Sequence, residues 1–95
     1  VVVGVISFDI IIQGAHSLKE KRGCVRSLVQ RMMNRFHVSV AEVGCQELWN
    51  RSKIGVTFVG NDRKIVDSLA ERITEFVYTA KDVEIIEREY EVLRY

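Results

Sequence analysis

The sequence predicts an α+β sandwich in which two helices cover one face of a four-stranded antiparallel sheet, and three observations predict it. Apolar residues repeat at the strand period of two in four segments and at the helical period of 3.6 in two others. These segments follow one another in the order strand, helix, strand, strand, helix, strand. The 95 residues contain no proline, and 47% are hydrophobic, which suits one domain over residues 1–95 with one core and short connections.

The first segment, Val1 to Ile12, places Val2, Ile6, Phe8, Ile10 and Ile12 on one face and Val1, Val3, Val5, Ser7, Asp9 and Ile11 on the other. Both faces are largely apolar, as expected of a central strand. Gly14 breaks it. Ser17-Leu18-Lys19-Glu20 then reads as a capping box, with the Ser17 hydroxyl accepting the Glu20 N–H and Glu20 reaching back to Ser17. The helix that follows runs to about Phe36, its apolar stripe formed by Leu18, Val25, Leu28, Val29, Met32 and Phe36.

Val38 to Val43 alternates as a second strand, Gly44 to about Ser52 reads as a turn or irregular hairpin, and Lys53 to Val59 is a third strand with Ile54, Val56 and Phe58 on one face. Gly60-Asn61-Asp62 is a break with an N-cap. The second helix, about Arg63 to Tyr78, carries Ile65, Val66, Leu69, Ile73, Phe76 and Val77 on its stripe. Lys81-Asp82 is a turn, and Val83 to about Leu93 is the last strand. Two split βαβ units of this kind make the ferredoxin-like sandwich, and right-handed crossovers give the sheet order 4-1-3-2.

The near balance of 14 basic and 13 acidic residues conceals an asymmetry. The segment from Ser17 to His37 holds Lys19, Lys21, Arg22, Arg26, Arg31 and Arg35 against Glu20 alone, a local charge of +5 that leaves −4 for the rest. At 100° per residue, Lys19, Arg22 and Arg26 line one flank of the helix and Arg31 and Arg35 the other, with Gly23, Ser27 and Asn34 between them. A solvated face offsetting acidic strands is one reading. A surface that follows phosphates is the other, since cations spaced along a helix can displace the counterions of a nucleic-acid backbone. Gly23 costs about 1 kcal/mol relative to alanine in a helix, which a close-approaching partner would account for. The helix start, framed by His16 and Ser17 with Lys19 near the first-turn N–H groups, suits an anion.

Other chemistry is absent from the pattern. Two histidines and two cysteines, Cys24 and Cys45, form no metal-ligand spacing, and there is no phosphate-binding glycine loop, so neither metal nor cofactor nor catalysis is expected. The last strand's Glu87, Glu89 and Glu91 share a face, as charges guarding an edge strand do. No aromatic–basic run marks the sheet for base stacking, so any nucleic acid is expected on the helices and loops. Trp49 is either a lid over the end of the core or a contact residue for a partner. Val1 to Ile12 is too short for a membrane span and carries Asp9, so the segment reads as a strand and the expected compartment is the reducing cytoplasm.

The runs Gly14-Ala15-His16-Ser17-Leu18-Lys19-Glu20-Lys21-Arg22 and Asn34-Arg35-Phe36-His37-Val38-Ser39-Val40-Ala41-Glu42-Val43, followed by Gln46, Leu48 and Trp49, resemble the YlxP-like family of small bacterial proteins. His37 departs from the Asn more often found there, and the two cysteines are not part of that pattern. The resemblance implies a ferredoxin-like fold. It also implies a ribosomal RNA or ribosomal particle as partner, because genes of the family commonly lie beside those of translation initiation and ribosome-maturation factors. The expected function is therefore a non-catalytic RNA-binding accessory factor using Lys19, Lys21, Arg22, Arg26, Arg31 and Arg35. The alternative is a self-associating or small-molecule-binding regulatory module, motivated by the apolar second face of the first strand. A homodimer would bury that face.

Overall fold

The computed structural model describes all residues, Val1–Tyr95. Its elements run β1 (Val2–Ile12), α1 (Leu18–Phe36), β2 (Ser39–Gly44), β3 (Arg51–Gly60), α2 (Arg63–Tyr78) and β4 (Val83–Arg94). The sheet is antiparallel throughout in the order β2-β3-β1-β4, which is the ferredoxin-like order expected. A β-bulge in the β1–β4 pairing shifts the register between Asp9 and Ile10, so that Asp9 faces Glu87 and Ile10 faces Ile85.

One face of the sheet is the core. Ile6, Phe8 and Ile10 of β1 and Ile54, Val56 and Phe58 of β3 pack beneath Val25, Leu28 and Met32 of α1 and Val66, Ala70, Ile73 and Val77 of α2. Gly4 lies where a β-carbon would come within 2.5 Å of the Phe58 ring and 2.9 Å of Val66, so only glycine lets β1 approach there. Ile65, expected on the α2 stripe, is 55% exposed, and Ala70 takes the buried place instead. The third strand starts earlier than its apolar alternation predicts. β3 begins at Arg51, because Ser52 occupies a core-facing position at 1% exposure and continues the alternation with a polar residue.

The termini of the helices follow local chemistry. Ser17 caps α1 by accepting the Glu20 N–H at 3.1 Å, and Asp62 caps α2 by accepting the Lys64 N–H at 2.8 Å. Glu20 does not reach back to Ser17. Its carboxylate accepts the His16 N–H at 2.6 Å, one residue earlier. α1 ends at His37 in the left-handed region, φ 54°, a conformation Asn adopts more readily than most residues.

Candidate nucleic-acid interface

α1 spans about 28 Å at 1.5 Å per residue, and its outward surface is cationic from end to end. Lys19, Arg22, Arg26, Arg31 and Arg35 are all exposed, and none lies within ion-pair distance of a carboxylate. Gly23 stands on the same surface with open space where a side chain would be. Arg31 and Arg35 turn toward α2. The Arg31 guanidinium lies 5.7 Å from the centre of the Phe76 ring and donates through Nε to the Ser27 carbonyl at 3.3 Å, and Arg35 lies over both Phe36 and Phe76.

Lys21 does not belong to this surface, and its expected role in binding nucleic acid is corrected. It is fully buried. Its ammonium donates to Glu42 Oε2 at 2.5 Å and to the Cys45 carbonyl at 2.9 Å, while the Ser52 hydroxyl donates to the same Glu42 oxygen at 2.6 Å. The reason lies in phase. With Leu18, Val25, Leu28, Met32 and Phe36 at the helical period, Lys21 falls on the apolar stripe itself, and burying its charge is tolerable only because a carboxylate meets it. Glu42 and Ser52 likewise stand at core-facing positions of β2 and β3. Three polar residues in core phase on three elements are the signal that the sequence carries for this cluster.

The start of α1 is partly claimed by the protein's own groups. The Ser17 hydroxyl and the Glu20 carboxylate take up the Glu20 and His16 N–H groups, and Glu20 places a negative charge against the positive end of the helix. His16, Ser17 and Lys19 are exposed there, but an added anion would meet Glu20.

Trp49 is 52% exposed in the β2–β3 connection, beside Leu48 at 47%, and takes no part in the core, which removes the lid reading. Cys24 and Cys45 are free thiols. Burial, with a smaller contribution from Asp82, pushes the Cys24 thiol above its ordinary range and makes its reactive thiolate scarcer. No group of three or more His, Cys, Asp or Glu side chains is placed to hold a metal ion, and no helix is long and apolar enough to cross a membrane. The open face of the sheet carries Arg51, Lys53 and Thr57 on β3, Asp9 on β1, and Glu84, Glu89 and Glu91 on β4.

Residues 3–90 match the family described as protein of unknown function (DUF503). The chain is 32% identical over 82 residues to the uncharacterized protein YlxP of Bacillus subtilis (strain 168), covering 86% of this chain and 89% of that one. Among solved structures, the de novo designed protein Foldit4 superposes over 100% of this chain and 99% of its own, with 16% identity and a TM-score of 0.50, a likeness of fold alone. LarC2, the C-terminal domain of a cyclometallase, aligns with 98% of this chain at 10% identity and a TM-score of 0.47, and this chain spans 55% of its length.

Proposed function

The chain belongs to the DUF503 family, and with a family of unknown function as the starting point we propose, from the surface of α1, that it is a non-catalytic RNA-binding accessory factor. The supporting observation is that five cations, Lys19, Arg22, Arg26, Arg31 and Arg35, stand exposed along one helix with no carboxylate partner. Cations left unpaired on a common surface gain by replacing the counterions of a phosphate backbone, a sequence-independent attraction that weakens steeply with salt. The resemblance to the YlxP-like family directs the reading toward ribosomal RNA or a small-subunit particle. Filter binding to ribosomal RNA at two salt concentrations tests it. The triple variant Lys19→Ala/Arg22→Ala/Arg26→Ala is expected to bind more weakly and to lose about one unit of salt slope per cation removed. Equal affinity and slope in variant and parent would overturn the assignment to α1.

A second reading, self-association, is supported by the uncovered face of the sheet. Val43 and Val59 are exposed on it and Val3, Val5 and Ile11 half-buried, with no second layer above them. Light scattering over a dilution series is the test, and a strict monomer at high concentration contradicts it. The two readings are compatible, since a dimer would present two basic helices.

A further inference from the structure

We propose that the cleft between the C-terminal halves of α1 and α2 is a phosphate-binding site in which Arg35 and Arg72 present guanidinium edges to a tetrahedral oxyanion. Its foundation is a pair of rings. Phe36 of α1 and Phe76 of α2 meet edge to face, with centroids 5.6 Å apart and planes at 83°. Three guanidinium groups surround them. Arg31 is 5.7 Å from the Phe76 centroid, Arg35 is 5.7 Å from Phe36 and 5.5 Å from Phe76, and Arg72 is 5.7 Å from Phe36. An arginine attracted to an aromatic ring keeps N–H groups available for hydrogen bonds, and the ring limits the conformations it can explore.

None of the three has a carboxylate within ion-pair distance, although Glu75 also lines the cleft. Like charges gathered without partners repel one another. The carbonyl end of α1 offsets this for Arg35, which sits in its last turn, but Arg72 lies in mid-helix and gains nothing comparable. A cleft of about 370 Å³ is lined by Arg35 and Phe36 of α1 and by Arg72, Glu75 and Phe76 of α2. A guanidinium can pair with a phosphate through two parallel bonds, and a tetrahedral phosphate has oxygens enough to accept from Arg35 and Arg72 together. The phosphate could belong to a polynucleotide, in which case α2 joins the RNA footprint of the preceding reading, or to a small phosphorylated molecule.

The test follows the arginine Nε–H signals by NMR in three titrations, with inorganic phosphate, with uridine monophosphate and with a short oligouridylate. Movement of the Arg35 and Arg72 signals is expected in all three, and Arg72→Gln is expected to weaken phosphate binding at least several-fold. A much tighter response to the oligonucleotide assigns the site to a nucleic-acid backbone, and equal responses to the two uridine ligands assign it to a small phosphorylated ligand. If phosphate moves these signals while the oligonucleotide does not bind, the site stands and the RNA reading falls. If the oligonucleotide binds while the Arg35 and Arg72 signals stay in place, the RNA reading stands and this site is overturned. Silence of both signals in all three titrations also overturns it.

Discussion

Lys21 and Glu42 join the first turn of α1 to the edge strand β2 through an ion pair whose ammonium has no contact with solvent and whose carboxylate is 18% exposed. Because Lys21 also holds the Cys45 carbonyl, the pair fixes where the β2–β3 connection leaves the sheet. Lys21→Met is expected to destabilise the protein by about 3 kcal/mol, the low end for a broken buried pair, since Glu42 retains some access to water. The double variant Lys21→Met/Glu42→Met is expected to recover part of that loss by removing the uncompensated charge. Urea denaturation measures both. RNA affinity of the folded single variant is expected to match the parent, because the side chain faces inward.

Tyr90 of β4 donates to Asp67 Oδ1 of α2 at 2.7 Å, and burial together with this bond pushes the phenol up to about 12. A raised value in the folded state means that neutral Tyr90 favours the fold. Its contribution is intact below the ordinary tyrosine value of about 10 and disappears as pH climbs through about 12. The same bond lowers the Asp67 carboxyl, which contributes stability above its ordinary range and loses it as pH falls through the lowered value. Asp67→Asn is expected to bring the Tyr90 transition in an ultraviolet titration down partway, leaving the share caused by burial. An unchanged transition would show that the bond is absent in solution.

Gly23 leaves an unfilled place on the outer surface of α1, where an added β-carbon would meet nothing within 4 Å. Gly23→Ala is expected to raise stability by about 1 kcal/mol, the helical cost of glycine, as read from a thermal or urea midpoint. If RNA approaches this surface closely, Gly23→Gln is expected to weaken binding although it leaves the fold intact.

Gly4 is the opposite case. A β-carbon there would press on Phe58 and Val66, so Gly4→Ala is expected to cost about 1–3 kcal/mol through overpacking, seen as a lowered denaturation midpoint. An unchanged midpoint would mean that the sheet yields at this point.

Periodicity makes the architecture legible wherever apolar residues carry it. The stripe of Val25, Leu28, Met32 and Phe36 and the alternation of Ile54, Val56 and Phe58 place α1 and β3 without ambiguity. Ser52 and Lys21 mislead because their chemistry says surface while their phase says core. Glu42, which accepts from both, resolves the conflict, and it is brought to them only by the folded sheet. The cations of α1 are visible as a helical pattern. Arg72 is not, because its relation to Phe36 crosses from one helix to the other and has no imprint in local spacing.

Trp49, the sole tryptophan, stands half in solvent on a connection outside the core. Its fluorescence is therefore expected to report the hairpin more than the unfolding of the sandwich, with native emission close to that of a solvated indole and only a small shift on denaturation. Circular dichroism is the better probe of global stability here. The same poor contrast makes Trp49 a sensitive optical label for anything that covers the β2–β3 connection, with a blue shift on complex formation standing out against a quiet background.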